Sequence, residues 1–421
     1  MNNSWIEKIL LNFFKNNADI FGEESTYHGF EREPQNHQLD GLQSEQLFGN
    51  IMYADQQGNI HKSIPLFIKL TADSPVLPSK FNSFSFANEI NFYTKIAPTL
   101  ETFDDSFLSL FPKFYHGEMM FNQKQNKSAI IFENVKTRGY KMSEKKSFLD
   151  CEHLTLMMRK LGEFHAYSYK AKNTAPDLFY PMVSIFQENN LFVNKETLHN
   201  ELQILAARGF ELLLQDPDYA QLASRIETMI ENADDTFRKI LTSDGDNPIS
   251  VITHGDYLRN NLMFRYKNNI PDDLIMIDMA TYRYASPVID LAIVLYINTD
   301  QETRSKYWDK LIDEYYTALK GKFPENEIPS KCTIMSDFVG RSFYAYLVAS
   351  FFLKSMFAHD NNIPLPQDFD PDTARKYNEG KYNEIPEEMQ FKLCLSIGGK
   401  KCTQALKDIL GDMIDRGFIC S

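Results

Sequence analysis

The chain has 421 residues, 43% hydrophobic and 24% charged, an ordinary globular composition with length enough for more than one domain-sized unit. Lys and Arg number 44 against 57 Asp and Glu, a net charge of −13, which argues against a general nucleic-acid surface or a surface for anionic membranes. Five cysteines (Cys151, Cys332, Cys394, Cys402 and Cys420) form no close metal-ligand spacing and read as free thiols in a reducing compartment, the cytoplasm.

Residues 1–10 lack a basic segment followed by a long apolar run, so they predict a short amphipathic helix packed on the domain rather than a signal peptide. Strand signals fill residues 40–135. The apolar runs 47–53 and 64–70 flank a polar turn with Gly58 near its end. A helix follows, with Phe86, Ile90 and Tyr93 on one face and Glu89 on another. Two more strands are expected near 113–118 and 128–132. From residue 150 onward the pattern turns helical, at 154–169, 197–214, 222–240, 305–319, 335–357 and 400–411, with strands at 249–254, 262–266 and 274–278 interrupting it. Asp337, Arg341 and Lys354 cut the least polar helix, 335–357, well short of the ~20 apolar residues a membrane span needs. The acidic, Pro-containing segment 367–388 reads as a surface excursion. The fold class is therefore α+β, with a small β-rich N-terminal lobe over residues 1–134 and a larger helical C-terminal lobe over 135–421.

The chemistry concentrates in residues 252–278. An apolar strand runs into His254-Gly255-Asp256, Asn261 lies five residues beyond Asp256, and a second apolar strand ends in Asp278. Two carboxylates and an amide oxygen gathered at the end of a small sheet suit Mg²⁺, which takes hard oxygen ligands. The first Asp also suits a general base that accepts a proton from a hydroxyl nucleophile. Phosphoryl transfer needs both services. Asp256 alone reads more commonly as a turn residue, Asn260 competes with Asn261 by spacing, and a buried Asp278 is costly unless paired or metal-bound. His254 reads as a residue that holds the loop's shape. Asp290, opening a helix at 286–292, reads as an anchor that braces the catalytic loop. In the front half, Lys69 ends an apolar strand and Glu89 sits on the next helix, a pairing that places an ammonium on nucleotide phosphates. Backbone groups at Glu133 and Val135 could meet an adenine edge. The phosphate-covering loop, Asp40-Gly41-Leu42-Gln43-Ser44, is Gly-poor and leaves Ser44 and backbone amides as its contacts.

His254-Gly255-Asp256 with Asn261 and Ile277-Asp278 resembles the aminoglycoside phosphotransferase and choline kinase branch of the protein-kinase-like fold, which lacks the Asp-Phe-Gly sequence of protein kinases. Within that branch the chain looks most like the ecdysteroid kinase-like (CHK-kinase-like) family. The segments 86–93, 132–142, 161–166 and 278–292, together with Tyr315-Tyr316, carry the likeness. It implies a two-lobed kinase-like fold with a nucleotide-binding front lobe and a catalytic, substrate-binding rear lobe. It also implies ATP- and Mg²⁺-dependent phosphorylation of an alcohol on a small molecule, an ecdysteroid or a foreign compound. By the same likeness Asp256 is catalytic, Asn261 and Asp278 hold Mg²⁺, Lys69 and Glu89 orient phosphates, and Glu133 to Val135 form the hinge. Met279 and Ala280 depart from the residues many relatives carry there. The alternative is a catalytically silent ligand-binding relative, which the thin phosphate loop would suit. A protein kinase is disfavoured, because no Ala-Pro-Glu segment follows Asp278.

Overall fold

The computed structural model describes residues 4–34, 44–71, 79–122, 125–145, 147–189, 201–242, 247–323, 328–361, 370–378, 381 and 384–419. The front of the chain forms helix α1 (Ser4–Lys15), strands β1 (Thr26–Arg32), β2 (Ser44–Ala54), β3 (Ile60–Lys62) and β4 (Leu66–Thr71), helix α2 (Ser79–Asn91), and strands β5 (Phe114–Asn122) and β6 (Gln125–Glu133). Beyond these come helices α3 (Cys151–Thr174) and α4 (Glu201–Leu213), strands β7 (Val251–Thr253), β8 (Leu262–Lys267) and β9 (Ile270–Met276), and helices α5 (Val288–Ile297), α6 (Gln301–Lys322), α7 (Phe343–Asn361) and α8 (Gly399–Asp415). The α+β class holds. Residues 40–43 of the expected phosphate loop, 197–200 of an expected helix, and 367–369, 379, 380, 382 and 383 of the expected surface excursion lie outside the described residues.

Two compact units make up the chain. The first comprises Met1–Met142, Lys170–Asn189 and Asn260–Arg283, the second Ser143–Tyr169, Asn190–Arg259 and Tyr284–Ser421.

In the first unit an antiparallel sheet runs β1-β2-β4-β6-β5, with β3 on β2. Successive side chains of a strand point to opposite faces, and β4 alternates buried and half-buried residues along its whole length. Leu66, Ile68 and Leu70 pack with Leu47, Ala129 and Ile131 against Ile9, Leu10 and Phe13 of α1. The expected N-terminal helix thus covers one sheet face. Lys69 must then lie on the other face. There it stands opposite Gln46 in the β2–β4 register, with Ser44 opposite Thr71. Strand β1 was not anticipated, because its sequence, TYHGFER, is polar and mostly exposed, as an edge strand tolerates. The β8–β9 hairpin joins this unit through reciprocal hydrogen bonds between Lys141 and Phe264, at 2.8 and 2.7 Å.

The second unit is helical. Helix α5, buried at every position, packs on α7, and α7 packs on α4 and α8. The helix expected over 222–240 is two helices, Ala223–Glu231 and Ala233–Leu241. Asn232 divides them, its side-chain amide donating to the Thr228 carbonyl at 2.7 Å and so competing with the backbone ladder. Ser342 likewise separates Lys331–Arg341 from α7 within the expected 335–357 helix. Among the described residues no helix is long and apolar enough to cross a membrane.

Candidate active site

In the first unit, strand alternation and the α2 packing bring Lys69 to two carboxylates. Its Nζ donates to Glu89 Oε2 at 2.7 Å and to Asp278 Oδ1 at 2.8 Å. Glu89 is only 2% exposed at its side chain, whereas Asp278 is 42% exposed and so forms the solvent-reaching end of the triad. Burial opposes the Lys69 charge, but the Asp278 and Glu89 carboxylates outweigh it and raise the ammonium's pKa. The Glu89 carboxyl is also raised, because burial and repulsion from Asp278 exceed the pull of Lys69. Both shifts are upward, which favours the charge of Lys69 and disfavours that of Glu89. They are reconciled by stoichiometry, since one ammonium serves two carboxylates and its charge is the better compensated.

Asp278 has φ +63° and ψ +61°, the left-handed region. For a non-glycine residue that conformation costs on the order of 1–3 kcal/mol and persists only where surrounding contacts enforce it. Asn261 lies at the same end of the hairpin. Leu262 pairs with Met276, and the Asn261 carbonyl accepts from the Ile277 N–H at 3.0 Å. Both side chains therefore offer hard oxygens beside one strand end, a donor set that fits Mg²⁺. Among the described residues no cluster of three or more His, Cys, Asp or Glu could hold a metal. A Mg²⁺ site needs no such cage when phosphates and waters complete it.

Glu133 and Val135, the expected hinge residues, are placed by turn chemistry. The Glu133 carboxylate accepts from the Lys113 N–H at 3.0 Å and from Arg138 at 2.7 Å, so its side chain serves the turn. Val135 opens a short 3₁₀ turn, Val135–Arg138, and its carbonyl accepts from the Tyr140 N–H.

In the second unit the His254-Gly255-Asp256 loop is pinned from several sides. Gly255 adopts φ +81°, which a Cβ-bearing residue rarely takes. The fully buried Asp290 accepts from the His254 N–H at 2.6 Å and the Gly255 N–H at 2.9 Å. It braces the loop as expected, though as an acceptor for loop amides and not as the N-cap of α5, a position held by Pro287. His165 of α3 donates from Nε2 to Asp290 at 3.1 Å, which assigns Nδ1 as acceptor from the Tyr315 hydroxyl at 3.0 Å. Tyr257 donates to the Met157 carbonyl at 3.1 Å, and the Arg259 N–H to Asn298 at 3.2 Å. His254 Nδ1 accepts from the Asp256 N–H at 3.4 Å, a weak contact that shapes the loop from within. Asp256 itself is half-buried.

The structure thus gathers Lys69, Glu89 and Asp278 around one ammonium, sets Asn261 beside the Asp278 strand end, and places Ser44 on the Lys69 face of the sheet. Sequence reasoning met Asn88, His165 and Tyr315 only as markers of the family likeness, gave them no role, and did not single out Asn298. The available signal was a fully polar side chain at an otherwise apolar helix position, as His165 is among Leu154, Met158 and Leu161.

The model of the ecdysteroid kinase-like family matches residues 44–324. The chain belongs to this family. No curated relative matches the chain. Among solved structures it is similar to a microcompartment-associated aminopropanol kinase, at 9% identity and a TM-score of 0.43 over 98% of this chain and 100% of that one. It is also similar to an ethanolamine kinase of Plasmodium vivax, at 10% identity and TM-score 0.39 over 97% and 90%. An AMP-bound spectinomycin phosphotransferase stands at 12% identity and 0.40 over 96% and 98%.

Proposed function

We propose that this ecdysteroid kinase-like protein transfers the γ-phosphoryl group of ATP, with Mg²⁺, to an alcohol hydroxyl of an ecdysteroid or a related small molecule, in the cytoplasm. The observation that carries the proposal is the ammonium of Lys69 held between Glu89 and the exposed, left-handed Asp278. A half-buried lysine kept charged by two carboxylates is a preorganised cation for the phosphates of a nucleotide, and preorganisation is the main contribution a protein makes to phosphoryl transfer. Glu89 fixes the lysine's position. Ser44 and Gln46 share its sheet face and border the phosphates, while the backbone at Glu133 and Val135 meets the base. Asn261 and Asp278 hold Mg²⁺, which neutralises charge on the phosphates when bound.

Asp256 acts on the acceptor. Its carboxylate takes the proton of the substrate hydroxyl as that oxygen forms the new bond to the γ-phosphorus. The bond from the γ-phosphorus to the β–γ bridging oxygen breaks, and ADP leaves. Asp290 supports this role by fixing the two amides that precede Asp256.

Incubation with ATP, Mg²⁺ and a panel of sterol and phenolic alcohols, read by ADP release, is the test. Asp256→Ala and Asp278→Ala are expected to abolish turnover while retaining the folded circular-dichroism spectrum. Wild-type turnover in either variant refutes the assignment. ATP–Mg²⁺ is expected to raise the melting temperature of the wild type, because binding to the folded state alone stabilises it.

A further inference from the structure

Three consecutive residues of the Asp278 turn are tied to helix α2. Asp278 accepts from Lys69, the partner of Glu89. The Met279 N–H donates to the Glu89 carboxylate. The Ala280 carbonyl accepts from Asn88 Nδ2 at 3.2 Å and from Asn189 Nδ2 at 2.9 Å. Asn88 is fully buried one residue before Glu89. Its Oδ1 accepts from the Gln187 N–H at 2.9 Å and its Nδ2 donates to the Gln187 carbonyl at 2.7 Å, so one planar amide clamps both backbone groups of Gln187. Asn189 then donates to Ser85 of α2 at 2.8 Å. Residues 187–189 are in this way stitched to α2 by two amides that converge on one carbonyl, two residues past Asp278.

We propose that Asn88, acting through the 187–189 strap, is the positioning residue that holds the Asp278 turn in its left-handed conformation beside Lys69 and Glu89. An L-residue leaves the left-handed region readily unless its neighbours are fixed, and the Ala280 carbonyl is the neighbour that both amides fix. Asparagine is suited to the position because only an amide supplies donor and acceptor in one plane. Aspartate keeps the Gln187 N–H contact and loses both donations. Alanine loses all three bonds. Asn88 touches neither phosphate nor acceptor in this account. The functional consequence rests on the reading of Asp278 as a Mg²⁺ ligand.

The test uses the full chain with Asn88→Ala, Asn88→Asp and Asn189→Ala. Amide hydrogen exchange is followed by mass spectrometry on peptides covering 277–283 and, as a control, on α5 and α7. The expected result is at least tenfold faster exchange at 277–283 in Asn88→Ala, less in Asn88→Asp, and no change in the control helices. A second readout is the Mg²⁺ concentration giving half of the melting shift produced by ADP, expected to rise at least tenfold in Asn88→Ala while the shift by ADP in EDTA is kept. A merely structural role lowers the melting temperature and speeds exchange throughout, leaving the Mg²⁺ half-point where it was; that result overturns the proposal. If Asn88→Ala does not fold, Asn189→Ala, which removes the other donor to the same carbonyl, carries both readouts, and its unchanged exchange at 277–283 overturns the proposal equally. A wild type without any Mg²⁺-dependent shift sinks the kinase reading alone, and the exchange data then decide the role of Asn88.

Discussion

Replacing Asp290 tests whether the His254-Gly255-Asp256 loop is held by one carboxylate. Its Oδ2 accepts from the His254 N–H at 2.6 Å and from His165 Nε2 at 3.1 Å, and its Oδ1 accepts from the Gly255 N–H at 2.9 Å, with the residue fully buried. Asp290→Ala deletes all three bonds and strands two backbone donors, the His254 N–H in a buried place and the Gly255 N–H in a partly buried one. Removing one member of such a buried set costs about 3–5 kcal/mol, roughly a hundredfold to a few thousandfold in the unfolding equilibrium. Asp290→Asn is milder. With its carbonyl in the Oδ2 place it keeps the His254 and His165 bonds, and only the Gly255 N–H faces a second donor. The loss is then near one charge-assisted hydrogen bond, about 1.5–3 kcal/mol. Urea unfolding followed by Trp308, buried in the helical unit, reads both costs in a Trp5→Phe background that removes the other tryptophan. Turnover is expected to fall in the same order. An alanine variant within about 1 kcal/mol of wild type, the typical net worth of one ordinary hydrogen bond, or an asparagine variant as unstable as the alanine one, refutes the reasoning.

Three further outcomes follow from packing and charge. A Cβ on Gly162 would stand 2.4 Å from the Tyr315 carbonyl oxygen, so Gly162→Ala is expected to cost about 1–3 kcal/mol through overpacking; an unchanged urea midpoint would count against that contact. Lys69→Met should destabilise more than the double variant Lys69→Met/Glu89→Leu, because the single change leaves Glu89 buried without its ammonium, and neither should support turnover; equal stabilities would contradict the pairing. Burial depresses the pKa of Lys172 to about 7. Between that pH and the ordinary lysine value the unfolded chain binds more protons, so wild-type stability should rise with pH across the window while Lys172→Met flattens the rise; parallel profiles at pH 7 to 9.5 would remove Lys172 from the account.

Much of the site was legible because its spacing is local. Asp256, Asn261 and Asp278 fall on one strand–loop–strand segment, and the even alternation of β4 dictates that Lys69 opposes Leu66, Ile68 and Leu70. The bracing role of Asp290 was readable from a carboxylate at the head of an apolar helix, but the groups it braces were not. His165 lies 125 residues before Asp290, and Tyr315 lies 150 residues after His165. Gly162 shows why these side chains meet. It is a point where α3 and α6 approach too closely for a Cβ, and the fit of two helix surfaces has no period in the sequence that would reveal it.

The sequence by itself determined which residues carry charge and oxygen donors, which face of each strand they occupy, and the family they mark. Those properties follow from side-chain chemistry and from backbone sterics over a few residues. Only the tertiary structure decided that Lys69 meets an aspartate 209 positions away, that this aspartate sits in the left-handed region, and that Asn88 reaches the carbonyl beyond it. Contacts of such separation are chosen by which surfaces bury together, and that choice is made by the packed chain as a whole.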